Sequence, residues 1–111
     1  MIEIDVHTRD DGIGVVVPRG RLNMVAARQL KEVLADLVGT GTSRIVVDMA
    51  ETTFLDSSGL GALIGGLKSA RQAGGDLRIA RPVPAVTTVF ELTNLDRVLR
   101  ARDDVDTAFD D

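Results

Sequence analysis

Three consecutive oxygen-bearing side chains, Asp56, Ser57 and Ser58, have the residue types and the spacing that could carry chemistry in this sequence. They precede a run of apolar residues with helical spacing, so they lie at the predicted start of a helix. The first N–H groups of a helix have no partner within the helix and carry partial positive charge, which favours side-chain oxygens and anions. One such side chain is enough to cap a helix. Capping is therefore the ordinary interpretation, but three oxygen side chains exceed what capping requires.

The helix that follows has an unusual composition on one side. Its predicted core-facing stripe consists of Leu60, Leu63, Ile64 and Leu67. The opposite side of its first turns consists of Gly61, Ala62, Gly65 and Gly66. Each glycine inside a helix costs about 0.5–1 kcal/mol relative to alanine, so this side weakens the helix. Either close packing against a neighbouring element or a smooth surface for a partner explains it.

A serine nucleophile would need an activating base, and the sequence offers none nearby. The Gly-x-Ser-x-Gly pattern of a nucleophile elbow is absent, because Leu55 and Asp56 stand two residues before Ser57 and Ser58. The single histidine, His7, lies on the polar side of a predicted strand and is expected to be solvated. We therefore predict that the protein is not an enzyme.

Two glycine patterns and one carboxylate are excluded as cofactor or metal sites. Leu67 stands where a phosphate loop requires lysine, and Ile64 stands where a dinucleotide fingerprint requires glycine. Asp48 ends a predicted strand without a second ligand nearby, so we expect it to stabilise a loop by accepting hydrogen bonds. The chain has no cysteine. We predict neither a metal nor a cofactor.

The elements that position these residues begin with a predicted hairpin. Ile2, Ile4 and Val6 alternate with polar residues, which is typical of a half-buried strand. Asp11-Gly12 predicts a turn, and Gly14 to Val17 predicts a short second strand that Pro18 ends.

Three segments have the spacing of amphipathic helices. The first is capped by Asn23, runs to about Val38 and has its apolar face at Ala26, Leu30, Val33, Leu34 and Leu37. The second runs from about Ser57 to Ala73. The third follows Pro84 and runs to about Asn94.

The remaining segments are predicted as strands, a loop and a tail. Strands are expected at Arg44 to Met49, buried on both faces, and at Leu77 to Ala80, with a last short one at Val98-Leu99. Ala50 to Leu55 is predicted as a loop. The acidic cluster near the end is interpreted as a solvated tail; it comprises Asp103, Asp104, Asp106, Asp110 and Asp111. Strands that alternate with helices after a hairpin indicate an α/β fold, a single domain with a mixed sheet of four to five strands and helices packed against it.

Composition limits the classes of partner. The 111 residues include 13 basic and 17 acidic ones, a net charge of −4, without a concentrated basic stripe for nucleic acid. The first residues lack the features of a secretory signal, and no apolar run approaches the roughly 20 residues that span a bilayer. We expect no nucleic acid and no membrane partner, and a cytoplasmic location.

The segment VVDMAETTFLDSSGLGALIGGLKSARQAGGDLRIA resembles the core motif of the anti-sigma factor antagonists, the STAS-domain proteins of bacterial sporulation and stress response. GRLNMVAARQL is similar to the start of the family's first helix, and PAVTTVFELTNL is similar to its third helix. The resemblance covers essentially the whole chain, and it implies one STAS domain over residues 1–111.

The resemblance implies a phosphorylation switch at Ser57, the first hydroxyl of the motif. In this family the unphosphorylated protein binds an anti-sigma factor that is also a serine kinase, and binding releases a sigma factor for transcription. Phosphorylation weakens the complex, and a phosphatase resets it; nucleotide and magnesium belong to the kinase. The expected partner-binding residues are Asn23, Asp56, Ser57, Ser58, Gly59, Gly61, Ala62 and Gly65.

Other STAS-like domains are structural subunits of stress-signalling assemblies or accessory subunits of transporters, and this alternative stays open. The intact Asp-Ser-Ser-Gly motif favours the antagonist. One departure is Asn23, where many relatives carry aspartate, and it bears on kinase recognition rather than on the fold.

Overall fold

A mixed five-stranded sheet with helices packed on it forms the fold. The computed structural model describes residues 2–99 and 101–110. Along the chain its elements are β1 (Glu3–Thr8), β2 (Gly14–Leu22), α1 (Met24–Gly39), β3 (Arg44–Asp48), β4 (Thr52–Leu55), α2 (Ser57–Gln72), β5 (Asp76–Ala80), α3 (Pro84–Leu92) and α4 (Asp96–Leu99). The α/β class, the mixed sheet and the N-terminal hairpin are confirmed.

The sheet is built around β2. This strand pairs antiparallel with β1 as a hairpin, and β2, β3 and β5 are parallel neighbours. β4 pairs in parallel with the last residues of β2. Because parallel strands end at the same edge of a sheet, the segments that follow β2 and β4 emerge side by side.

Two predictions for this region are wrong, and for a common reason. β2 does not end at Pro18 but continues to Leu22, and the predicted loop before α2 contains the strand β4. Along β2 the parallel partner changes from β3, which pairs up to Val16, to β4, which pairs from Gly20. Pro18 lies between these two paired stretches, where a residue without an N–H is tolerated. The buried Thr52 hydroxyl donates to the Pro18 carbonyl at 3.0 Å and fastens β4 there.

The core has two parts, one on each face of the sheet. The larger part lies between the sheet and the helices and includes Ile45 and Val47 of β3. Val46 points to the other face, where it packs with Ile13, Ala80 and Ala108. The expectation that β3 is buried on both faces is confirmed.

The end of the chain covers this second face, so the interpretation of a solvated tail is wrong. The Arg102 N–H donates to the Ile79 carbonyl and the Arg81 N–H to the Arg102 carbonyl, both at 2.8 Å. Ala108 is fully buried. The described acidic side chains of the segment are exposed, as expected; they are Asp103, Asp104, Asp106 and Asp110, while Asp111 lies outside the described residues.

The predicted strand at Val98-Leu99 is also wrong. These residues belong to the short helix α4, and Leu99 is buried in the larger core cluster. A two-residue apolar pair has no periodicity that distinguishes a strand from a helical turn.

Candidate functional site

At the start of α2, Asp56 is the capping side chain and the Ser57 hydroxyl is not used for capping. Asp56 is the N-cap, and its carboxylate accepts a hydrogen bond from the Gly59 N–H at 3.1 Å. Ser57, the first residue of the helix, is exposed, and its hydroxyl makes no hydrogen bond within the described part of the chain. Ser58 is half-buried and faces α1. Ser57 therefore has no capping role and presents a free hydroxyl at the positive end of the helix.

Asn23 caps α1 as predicted, since its side-chain oxygen accepts a hydrogen bond from the Ala26 N–H at 3.1 Å. The residues just before the two caps, Leu22 and Leu55, are direct partners in the β2–β4 ladder. Neighbouring strands lie about 4.8 Å apart, so the two helix starts are adjacent. The structure thus brings Asn23 beside Asp56 and the start of α2.

A stacked pair that the sequence analysis missed borders the two caps. Arg21 and Phe54 are partners in the same ladder, and the Arg21 guanidinium lies 4.1 Å from the centre of the Phe54 ring. Arg21 is exposed and Phe54 is half-buried. Arg21 and Phe54 can be identified as cross-strand partners only when residues 52–55 are recognised as a strand, and the sequence predicts a loop there.

Several small residues of α2 serve internal packing. A Cβ atom on Gly59 would lie 2.5 Å from Leu55 Cδ1 and 2.8 Å from the Leu22 carbonyl oxygen. A Cβ atom on Gly66 would lie 2.5 Å from Leu34 Cδ1 of α1. Ala62 is also buried. The prediction that Ala62 and Gly66 lie opposite the core is wrong, because α1 packs on that side of α2. Gly59, expected to bind a partner, is buried beneath the site.

The exposed part of the predicted surface is smaller. Gly61 is exposed, and a Cβ atom there would have no neighbour within 4 Å. Gly65 is half-buried, with Lys31 Cε at 3.9 Å from a Cβ position. A shallow groove of about 320 Å³ runs between the two helices. We call it the α1–α2 groove, and it is lined by Met24, Ala27, Arg28, Lys31, Ser58, Gly61 and Ala62.

Asp48 has the structural role expected for it. It is buried, and its carboxylate accepts a hydrogen bond from the Ala50 N–H at 3.2 Å, which stabilises the loop after β3. It also forms an ion pair with Arg81, whose Nε donates to it at 3.1 Å. The hydrogen bond and the charge of Asp48 raise the pKa of Arg81 above its ordinary value.

Residues 2–99 and 101–110 contain no cluster of three or more carboxylate or histidine side chains suited to a metal ion. His7 is exposed on β1, as expected. None of the helices within these ranges is both long and apolar enough to cross a bilayer.

Comparisons with known proteins identify the family of this chain. A family model described as the STAS domain matches residues 4–108. An anti-sigma-B factor antagonist of Staphylococcus epidermidis is 32% identical over 94 residues, which cover 85% of this chain and 86% of that protein.

Two crystal structures are similar over almost their whole length. The Thermotoga maritima protein tm1081 has a TM-score of 0.88 and 27% identity, and the match covers 96% of this chain and 91% of that one. An anti-sigma factor antagonist from Mycobacterium paratuberculosis has a TM-score of 0.86 and 27% identity, with 98% and 92% covered. With a family match that spans nearly all of its residues, this chain belongs to the STAS domain family.

Proposed function

We propose that this protein is an anti-sigma factor antagonist that binds an anti-sigma factor through the surface around the starts of α1 and α2. The binding is switched off when the anti-sigma factor, acting as a serine kinase, phosphorylates Ser57. The observation that carries this proposal is that Asp56 caps α2 while the Ser57 hydroxyl stays exposed and unpaired among the described residues. The Staphylococcus epidermidis relative, an anti-sigma-B factor antagonist, supports the same role.

Ser57 is the best acceptor among the hydroxyl groups of this region. Ser58 is half-buried in the α1–α2 groove, and Thr52 is buried with its hydroxyl bonded to the Pro18 carbonyl. Thr53 is exposed but lies in β4, three residues before the cap. Only Ser57 combines exposure with a position in the first turn of a helix, where the free N–H groups favour an added anion.

Phosphorylation should change the partner's binding more than the protein's own fold. A phosphate adds about −1.5 to −2 charge, and the helix start of α2 stabilises that charge internally. A partner docked over Ser57 has to bury the same charge without water, which is strongly unfavourable unless it supplies compensating cations. The complex therefore weakens while the fold of the antagonist is kept.

The chemistry of the switch lies with the partners. The kinase aligns the γ-phosphate of its ATP with the Ser57 oxygen, a bond forms between this oxygen and phosphorus, and the bond to the leaving ADP breaks. The hydroxyl proton passes to a base of the kinase. A phosphatase hydrolyses the phosphoserine and restores the binding form. Because sigma factors act on transcription, this function places the protein in the cytoplasm.

Phosphopeptide mass spectrometry tests the proposal. The anti-sigma factor is first identified by a pull-down from native lysate, and the purified pair is incubated with ATP. We expect one phosphate, on Ser57, and none on a Ser57→Ala variant. Thr53→Ala is the matched control and should be phosphorylated like the wild type. Phosphate on Ser58, Thr52 or Thr53 instead would refute the assignment.

A further inference from the structure

The α1–α2 groove carries positive charge in an acidic protein. The chain has a net charge of −4, yet the groove contains Arg28 and Lys31 and neither aspartate nor glutamate. The first turns of both helices also lack acidic residues. Asp56, which caps α2, does not line the groove. The local charge is therefore opposite to that of the molecule as a whole.

Within the described ranges, Arg28 and Lys31 form no ion pair, whereas five other cations do. Arg9, Arg19, Arg71, Arg78 and Arg81 form ion pairs with aspartate or glutamate. Arg28 and Lys31 are exposed and have no such partner in the described ranges. Glu32, one turn beyond Arg28, is exposed and forms no ion pair with it there. A docked carboxylate would find both cations available.

Apolar surface lies beside the charges. Met24 is 66% exposed, although methionine is usually buried, and the methyl groups of Ala27 and Ala62 form the floor of the groove. Gly61 leaves the groove open, because it has no side chain and no neighbour within 4 Å of a Cβ position. An apolar centre with a polar rim is the usual composition of a protein interface.

We infer that the α1–α2 groove binds an acidic segment of the anti-sigma factor. A carboxylate of this segment pairs with Arg28 and Lys31, and a neighbouring apolar side chain contacts Met24. The inference rests on the proposed function for the identity of the partner, but the chemistry of the segment follows from the groove. Phosphate on Ser57, beside the groove, repels the same carboxylate and so acts in the direction of the proposed switch.

Charge reversal of groove cations tests this with a matched control. Lys31→Glu and Lys68→Glu make the same change of charge on exposed lysines of α1 and α2, but Lys68 does not line the groove. We expect Lys31→Glu to raise the dissociation constant for the anti-sigma factor by about tenfold or more, and Lys68→Glu by less than about threefold. Thermal melts should show both variants folded. Equal losses for the two variants, or none for Lys31→Glu, would overturn the inference while leaving the proposed function intact.

A second measurement does not depend on the anti-sigma factor. A synthetic glutamate/leucine peptide and its lysine/leucine counterpart are titrated into the ¹⁵N-labelled protein. We expect the acidic peptide alone to shift amide signals of residues that line the groove, and Lys31→Glu to abolish the shifts. Equal shifts with both peptides, or shifts outside the groove, contradict the inference. A chain that binds the acidic peptide in the groove but no anti-sigma factor would contradict only the proposed function.

Discussion

Asn23 and Asp56 cap two different helices from equivalent positions, each one residue beyond a strand partner in the same pair, Leu22 and Leu55. The ladder between β2 and β4 therefore places the starts of α1 and α2 side by side. Unpaired N–H groups and partial positive charges of both helices converge at this edge of the sheet. A charge added at either cap acts on both helices.

Because the two caps are neighbours, Asn23→Asp should change the stability of the protein when Ser57 is phosphorylated. Asparagine and aspartate cap helices about equally well, so the change of cap itself should alter the stability by no more than about 0.5 kcal/mol. Repulsion between the new carboxylate and that of Asp56 is common to the unphosphorylated and phosphorylated variant. At about 5–8 Å and an effective dielectric constant of 20–80, repulsion from one unit of phosphate charge on Ser57 is about 0.5–3 kcal/mol. We expect phosphorylation to shift the melting temperature of Asn23→Asp downwards relative to the shift that it causes in the wild type.

Thermal melts of the four species, with and without the substitution and the phosphate, measure this coupling. Added salt should reduce any difference, because exposed charges are screened over about 10 Å at 0.1 M. An equal shift on phosphorylation in both backgrounds would show that Asn23 acts only as a cap.

The exposed Ser57 predicts a difference between two of its variants. Ser57→Ala should bind the anti-sigma factor like the wild type, because the hydroxyl has no hydrogen bond within the described chain. Ser57→Asp should weaken binding by about tenfold, or about 1.4 kcal/mol, because the partner would bury a charge. Thr53→Asp, with the same charge on an exposed residue of β4, is the control and should bind normally. Calorimetry gives the affinities, and equal values for Ser57→Ala and Ser57→Asp would reject a charge switch.

Substitution of the α2 glycines by alanine should change the free energy of unfolding in opposite directions at different positions. Gly61→Ala should stabilise the protein by about 0.5–1 kcal/mol, because the site is open and alanine is the better helix former. Gly66→Ala should cost about 1–3 kcal/mol through overpacking against the buried Leu34. Gly59→Ala should cost at least as much, since one obstacle is a backbone carbonyl, which moves less readily than a side chain. Urea unfolding gives the order, and a stabilised Gly66→Ala would disprove the close contact between α1 and α2.

The contacts of Phe109 on the second face of the sheet predict that this residue contributes to the stability of the fold. Its ring lies 4.5 Å from the guanidinium of the buried Arg78, which also donates to the Ala108 carbonyl at 3.1 Å. Phe109→Leu keeps an apolar side chain but removes the cation–π contact, so we expect a loss of about 1–2 kcal/mol. Phe54→Leu removes the equivalent contact with the exposed Arg21 and should cost less, about 0.5–1 kcal/mol. Equal losses in urea unfolding would argue against a packed chain end.

The hydrogen bonds of Asp104 predict that the stability of the same segment depends on pH. The Thr107 hydroxyl donates to its carboxylate at 2.7 Å and the Thr107 N–H at 2.8 Å, and these bonds lower the pKa of Asp104 below its ordinary value of 3.8. A lower pKa in the folded state gives stability that is present above the ordinary value and is lost as the pH falls through the folded value. Thr107→Val removes the hydroxyl bond, so the pKa of Asp104 should rise towards 3.8. Titration of the carboxyl ¹³C signal measures this, and an unchanged pKa in the variant would contradict it.

Much of the site follows from local sequence. Asn23 and Asp56 cap helices because their side chains reach an N–H three residues ahead, and the apolar spacing behind them specifies the helices. The hairpin and the doubly buried β3 are likewise predicted from their patterns of apolar residues. Each of these features depends on hydrogen bonds or periodicity within a short segment, so the sequence alone was enough to place Ser57 in the first turn of a helix.

Contacts between distant segments decided the rest. β4 is only four residues long and is a strand because β2 offers it a partner more than 30 residues away in sequence. The glycines were ambiguous until α1 was placed against Gly66 and not against Gly61. Ala108 is buried because it packs against apolar residues on the second face of the sheet. The groove is basic because the packing of α1 on α2 places Arg28 and Lys31 opposite Ser58. Burial and charge at a surface are sums over residues far apart in the chain, so only the tertiary structure determines them.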